Sequence, residues 1–376
     1  MLQQEKIWLS PPHMGKNEQK FIAEAFADNF IAPLGKNLDE FEEDLESYLE
    51  QGVNVAVLNS GTAAIHLGLI ILGVKAGDEV ICQSLTFSAS VNPVVYLGAK
   101  PIFIDSEIET WNMCPVALEQ AILDGIERGK KPKVIIVVHL YGMPFKVNEV
   151  SAISEKYNIP ILEDSAEALG SLFDGQKCGS FGTISVLSFN GNKIITTSGG
   201  GALVSKSKKI KNEAIFLATQ AKDNAPHYQH SQIGYNYRMS NICAGIGRGQ
   251  MEVLDSHVLA RREIHVFYKT LFKNISTVLL LEEPDNRFTS NHWLSVVLLD
   301  DYEKREALRL EFDKVNIETR PVWKPMHLQP VFKKERYFGN KIAENIFERG
   351  LCLPSGSNLL EKDKKRIANV IKAFFN

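Results

Sequence analysis

The chain has 376 residues with a formal net charge of −3 at pH 7, 44% hydrophobic and 23% charged residues. That balance excludes the strong basic excess of a nucleic-acid binder, and the length suits one large domain plus a smaller one, each with its own core. Cys82, Cys114, Cys178, Cys243 and Cys352 are scattered without a Cys-x-x-Cys pair, which points away from a disulfide framework or a zinc site and toward a reducing cytoplasm. The start, Met1-Leu2-Gln3-Gln4-Glu5-Lys6, carries no apolar run of leader length, and no later segment reaches the roughly eighteen apolar residues of a membrane span. Neither nucleic acid, membrane nor metal is expected as a partner.

Through the first two-thirds, short apolar runs alternate with helical patterns. The runs fall at residues 55–58, 80–83, 101–105, 134–138, 159–162, 184–188 and 202–205, with helices between them, among these 116–128 and 147–157. This predicts an α/β domain over residues 1–250 with a mostly parallel seven-stranded sheet covered by helices. A long helical pattern from Asn241 toward Phe272 leads into a smaller C-terminal α+β domain, residues 251–376, on which the first residues of the chain can also pack. Its strands are expected near 293–299 and 317–320, its helices near 304–315, 341–349 and 362–374. Basic clusters such as Lys206, Lys208, Lys209 and Lys211 lack interleaved aromatics and read as solvated helix faces.

Four segments carry candidate chemistry. Asn59-Ser60-Gly61-Thr62-Ala63-Ala64 joins a strand to an apolar helix pattern, so the free N–H groups of Gly61, Thr62 and Ala63 suit a phosphate; the same turn also reads as an ordinary N-cap. In Ser84-Leu85-Thr86-Phe87-Ser88-Ala89-Ser90, Phe87 is either a ring cover or a core side chain. Ile159-Pro160-Ile161-Leu162 ends in Glu163-Asp164-Ser165-Ala166, and a carboxylate at the end of a parallel strand, Asp164 first, faces ligands in open α/β sheets or caps the next turn. Lys193 stands in a loop of small polar and flexible residues after the strand that ends at Ser188, where Gly199, Gly200 and Gly201 permit backbone geometries that a side chain forbids. A lysine amine so placed, lowered in pKa by burial or a neighbouring cation, is suited to Schiff-base chemistry with an aldehyde such as pyridoxal phosphate; as a bland alternative it is a surface residue.

These segments, with Ser10-Pro11-Pro12-His13-Met14-Gly15, Ala32-Pro33-Leu34-Gly35, Gly234-Tyr235-Asn236-Tyr237-Arg238-Met239 and the stretch from Arg320-Pro321 to His327, stand in an order that resembles the DegT/DnrJ/StrS nucleotide-sugar aminotransferases over nearly the whole chain. The resemblance implies the type I aspartate aminotransferase fold and pyridoxal 5'-phosphate as cofactor. It makes Lys193 the Schiff-base lysine, Asp164 with Ala166 the pyridine side, Gly61, Thr62, Ala63 and Ser188 the phosphate side, and Phe87 the stacking ring. Asn236 resembles a residue that reaches the phosphate of a neighbouring subunit, which implies a homodimer with shared active sites. Trp323 and Lys324, with Arg238 and His327 by family position, become candidates for the sugar nucleotide. L-glutamate is the implied donor and a nucleotide-linked keto-sugar the acceptor, for surface glycans such as lipopolysaccharide.

Two departures bear on substrate. Glu167 stands where many relatives carry glutamine or histidine, and a carboxylate there is repelled by a phenolate oxygen unless it is protonated or turned toward substrate. The loop reads Thr-Thr-Ser-Gly-Gly-Gly from Thr196, which resembles the branch acting on UDP-linked 4-keto-6-deoxy amino sugars, with GDP- or dTDP-linked keto-sugars as the alternative. Sugar dehydratases on this fold resemble the chain but carry histidine in place of Lys193. A non-catalytic relative is expected to lose the lysine or the aspartate, and a nicotinamide enzyme needs a strand-linked Gly-x-Gly-x-x-Gly that is not found.

Overall fold

Apolar runs with no polar face, such as Val134–Val138, are satisfied only between two covering layers. In the computed structural model, which describes residues 5–375, they form the middle of one large sheet. The first four residues, read above for a leader, lie outside the described part. The strands lie side by side in the order Asn54–Leu58, Gly201–Ser205, Ile184–Ser188, Ile161–Asp164, Val134–Val138, Glu79–Gln83, Lys100–Ile104 and Arg336–Phe338. Gly201–Ser205 runs antiparallel to both its neighbours and every other pairing is parallel.

The sheet therefore has eight strands where the sequence predicts seven, and the eighth comes from the C-terminal region. Arg336–Phe338 has no apolar run to announce it; it exists because the edge of Lys100–Ile104 offers unpaired backbone groups. Successive residues of each strand feed opposite faces. Val55 and Val57 enter one core with Phe41, Leu45 and Trp111, whereas Ala56 and Leu58 enter the other with Leu67 and Leu217.

The expected long helix after Asn241 is two helices, Asn241–Met251 and Leu254–Phe272, parted by a non-helical Val253. Beyond them a four-stranded antiparallel sheet runs in the order Leu279–Leu280, Ser295–Leu298, Gly350–Leu353, Arg320–Pro321. Tyr268, Phe312 and Ile367 share the third core, carried by helices Leu254–Phe272, Tyr302–Lys314 and Glu361–Phe375. The chain crosses between the two parts in both directions, because Ile7 pairs with Ile317 and Arg336–Phe338 returns to the large sheet. Among the described residues no helix is long and apolar enough to cross a membrane.

Asp105, buried at the end of Lys100–Ile104, accepts hydrogen bonds from the main-chain N–H groups of Ser106 (2.9 Å), Asn340 (2.9 Å), Ile342 (2.9 Å) and Ala343 (2.8 Å). One carboxylate at the end of a large-sheet strand thus caps helix Ile342–Arg349 of the C-terminal region. Replacing it strands four main-chain donors at once, two of them, Ser106 and Ala343, in buried hydrogen bonds. Asp105→Ala is expected to lower unfolding stability by about 2–4 kcal/mol in urea titration, and Asp105→Asn, which keeps one acceptor oxygen, by less.

Candidate active site

The lysine loop is closed at its base and pinned in its middle. Phe189 N–H donates to Gly200 O and Thr197 N–H to Phe189 O, each at 2.9 Å. Ser10 Oγ (2.8 Å) and Trp293 Nε1 (2.7 Å) both donate to the carbonyl of Asn192, so the residue before Lys193 is held from two distant parts of the chain. The Lys193 side chain is 11% exposed, with Nζ 3.2 Å from Glu167 Oε1 and 4.3 Å from the centroid of the Trp293 ring. The three glycines act differently from expectation. The left-handed residue is Ser198, at φ +72°, whereas Gly200 and Gly201 are needed for space. A Cβ on Gly200 would lie 2.2 Å from Thr197 Oγ1, and one on Gly201 2.4 Å from Gly61 N.

On the neighbouring strand, Ile161–Asp164, the chain ends in two buried carboxylates with different surroundings. Glu163 points into the protein. Asp164 lines the cavity, its Oδ2 accepting from Ser90 Oγ at 2.6 Å and its Oδ1 from Ala166 N–H at 3.1 Å. Three residues on, Glu167 is 4% exposed and its Oε2 accepts from Tyr141 N–H at 2.8 Å. Burial pushes its carboxyl up to about 7, against the opposing pull of the Lys193 ammonium and the Tyr141 N–H. The cavity has a volume of about 690 Å³ and is lined among others by Gly61, Thr62, Asp164, Ser188, Lys193 and Trp323.

Several predicted residues meet there. Phe87, Ala166 and Glu167 also line the cavity, and Phe87 and Trp323 lie with ring centroids 5.6 Å apart at its side. Others do not reach it. Ala63 gives its N–H to the N-cap oxygen of Ser60 at 3.0 Å, so it is not a free phosphate donor. Arg238, expected at the sugar nucleotide, is drawn inward by the buried carboxylate of Glu42 and by Val57 O at 2.9 Å. His327 is likewise held away: Nδ1 lies 2.6 Å from Ser84 Oγ, Nε2 3.4 Å from Glu344 Oε1, and the ring stacks on Tyr337. Lys324 is exposed and lies outside the lining. Asn236 is exposed too and does not line this chain's cavity, although its carbonyl accepts from Asn59, a residue that does.

The residues present fit pyridoxal phosphate. At one end the first-turn N–H groups of Gly61 and Thr62 have no partner among the described residues, and a Cβ on Gly61 would sit 3.1 Å from Ser188 Cβ and 3.4 Å from its Oγ. Two amides at a helix N-terminus with hydroxyls beside them suit a phosphate dianion. Asp164 supplies an acceptor for a protonated ring nitrogen, and Lys193 an amine for the aldehyde. Sequence reasoning passed over Thr86, Ser90, Tyr141 and Trp293 as site residues. The partners of Ser90, Tyr141 and Trp293 lie 26 to 101 positions away and Thr86 reaches the site only through Ser90, so nothing local marks them, and only the Ser84–Ser90 segment as a whole gave a signal.

The model of the DegT/DnrJ/EryC1/StrS aminotransferase family matches residues 12–372. The chain is 46% identical to Bacillus subtilis EpsN, named as a pyridoxal phosphate-dependent aminotransferase, over 99% of this chain and 96% of that one. It is 36% identical to the GDP-perosamine synthase of Escherichia coli O157:H7 over 97% of both chains. Among solved structures, Streptococcus pneumoniae Spr1654, named as a sugar aminotransferase and seen in its PLP form, superposes with a TM-score of 0.90 at 27% identity over 98% of each chain.

The raised carboxyl of Glu167 gives a pH signature. Its folded value near 7 exceeds the 4.5 of a free glutamate, so the folded protein holds this proton more tightly and loses stability as pH climbs from 4.5 to 7. Glu167→Gln is expected to match the cofactor-free wild type near pH 4.5 and to exceed it by roughly 2–3 kcal/mol at pH 8, read by urea unfolding at both pH values. Equal stability of the two proteins at pH 8 would contradict the burial effect.

Proposed function

The chain belongs to the DegT/DnrJ/EryC1/StrS aminotransferase family and is a pyridoxal-phosphate-dependent sugar aminotransferase; from that premise we propose that it aminates the keto carbon of a nucleotide-linked 4-keto-6-deoxy sugar, with L-glutamate as donor. The observation that carries this reading is the convergence of Lys193, Asp164 and the open amides of Gly61 and Thr62 on one cavity. When bound, pyridoxal phosphate supplies a carbonyl carbon that takes up and gives back an amino group, and a ring that accepts the electron pair left by deprotonation.

The chain's own residues then divide the remaining work. Gly61, Thr62 and Ser188 would hold the phosphate, Asp164 would accept the ring N–H, and Phe87 would cover the ring face. Lys193 Nζ takes the proton from Cα of glutamate, which leaves as 2-oxoglutarate. The same nitrogen returns a proton to the sugar carbon that carried the ketone. Trp293 over Nζ, and Glu167 beside it, keep that amine out of bulk water. Trp323 and Arg320, at the side of the cavity, offer an aromatic face and a cation to the sugar nucleotide.

Two readings of the nucleotide are separable. The Thr-Thr-Ser-Gly-Gly-Gly loop supports a UDP-linked N-acetyl amino sugar, whereas the 36% identity to a GDP-perosamine synthase supports a GDP-linked one. A homodimer in which Asn236 serves the neighbouring subunit's phosphate accounts for a polar side chain that is exposed and outside its own cavity. A cytoplasmic setting and a place in surface-glycan assembly belong to the same proposal.

Visible absorbance of the holoenzyme is expected to shift with glutamate and to recover with one of the UDP- or GDP-4-keto-6-deoxy sugars; recovery with neither would remove the substrate class. Lys193→Ala should lower turnover about a thousandfold or more, and wild-type rates would sink the mechanism. Mixing Lys193→Ala with Asn236→Ala subunits is expected to restore activity through hybrid dimers, and no restoration argues for unshared sites.

A further inference from the structure

We propose that Ser90, backed by Thr86, is a positioning residue that fixes where the proton sits between Asp164 and its ligand. The inference rests on the reading of Asp164 as the carboxylate that faces a pyridine nitrogen.

Ser90 is 2% exposed and Thr86 1%, and both line the same cavity as Asp164. Ser90 Oγ lies 2.6 Å from Asp164 Oδ2, and Thr86 Oγ1 lies 2.8 Å from Ser90 Oγ. A serine hydroxyl has one proton to give, and an ionised carboxylate can only accept. That proton therefore goes to Asp164, which leaves the Ser90 oxygen to accept from Thr86. With Asp164 ionised, as pairing to a protonated ring nitrogen requires, the chain runs Thr86 O–H to Ser90 and Ser90 O–H to Asp164.

Aligned hydroxyls of this kind polarise one another, and the 2.6 Å contact is in the range of a charge-assisted O–H···O⁻ bond. Among the described residues the other carboxylate oxygen accepts only the Ala166 N–H. A hydroxyl that donates to Oδ2 occupies a lone pair of the carboxylate that a proton would otherwise take. With the Ser90 hydroxyl in place, a proton shared with a pyridine nitrogen stays on nitrogen, where it draws electrons into the ring. Without it, the carboxyl oxygen competes for the proton and the ring is a poorer electron acceptor. The short helical turn Ser88–Ser90 follows Phe87 directly, and Ser90 N–H donates to Phe87 O at 3.1 Å. One turn therefore positions both the ring cover and the carboxylate's partner.

The test uses holoenzymes of Ser90→Ala, Ser90→Thr and Thr86→Val, with Asp164→Asn as a control on the underlying reading. In Ser90→Ala, the pH titration of the bound cofactor's visible band is expected to shift, cofactor release on dilution to quicken, and kcat to fall about tenfold with the glutamate KM within about twofold. Thr86→Val should move each in the same direction by less, and Ser90→Thr should stay near wild type. The inference is overturned if Ser90→Ala keeps the wild-type spectrum and release rate, or if its kcat falls only in step with its melting temperature. If Ser90→Ala does not fold, Thr86→Val carries the spectral test, and an unchanged titration there overturns it. A wild-type spectrum in Asp164→Asn would instead remove the reading of Asp164 itself, whereas impaired Asp164→Asn beside normal Ser90→Ala removes only the role of Ser90.

Discussion

A single buried carboxylate holds the site in register. Glu163, fully enclosed, accepts through Oε1 from His139 Nε2 (2.8 Å), Ser165 Oγ (2.9 Å) and Gly179 N–H (2.6 Å), and through Oε2 from Phe181 N–H (2.8 Å), Gly182 N–H (2.9 Å) and Ser185 Oγ (2.6 Å). Burial pushes its carboxyl up, but the hydrogen bonds from His139, Ser185 and Gly179 outweigh that and hold it below the usual carboxylate range. Phe145 N–H donates to His139 Nδ1, which leaves Nε2 as the protonated nitrogen that serves Glu163. A charge taken out of water is tolerated only when so many donors face it. The result joins three strand ends and the 179–182 turn around one group, and the residue after it is Asp164.

From that fixed point the site grows by short steps along the chain and long steps through space. Asp164 turns to the cavity because alternate residues of a strand face opposite sides, and its neighbour has already claimed the interior. Lys193 is reached across one strand, with its loop tied by Ser10 and Trp293. Ser10 is itself held by Arg261, a buried cation whose partners are the carbonyls of Trp293 and Ser355 and that serine hydroxyl. Burial lowers the Arg261 guanidinium to about 9, a sign of how dry this junction is. The N-terminal segment, the large sheet and the C-terminal region thus meet behind the lysine.

How much of this was legible in the sequence follows from the range of the interactions involved. Seven strands of the large sheet were readable because apolar runs such as Val134–Val138 carry their own burial signal. The helix start at Gly61 and the strand-end acid at Asp164 were readable for the same reason, being properties of six or fewer consecutive residues. Arg336–Phe338 was not, since only an edge more than two hundred residues upstream makes it a strand. Arg238 was assigned to the cleft on its position in the family order, yet Glu42, nearly two hundred residues away, decides where its guanidinium goes. Glu167 was readable as an anomaly but not as a group with a raised pKa, which arises from burial that outweighs the opposing pull of Lys193 and Tyr141.

The stitching of Arg336–Phe338 and the Asp105 cap sets an order of events at the ribosome. Until Arg336–Phe338 has been polymerised, the nascent large sheet has Lys100–Ile104 as a bare edge and Asp105 with none of its three distant amide partners. Both are satisfied only after residue 343 has emerged. An open parallel edge is the kind of surface that captures other chains. The half-made enzyme therefore depends on its last hundred residues for solubility as well as for shape, and a stalled or truncated product is the form that chaperones would have to shield.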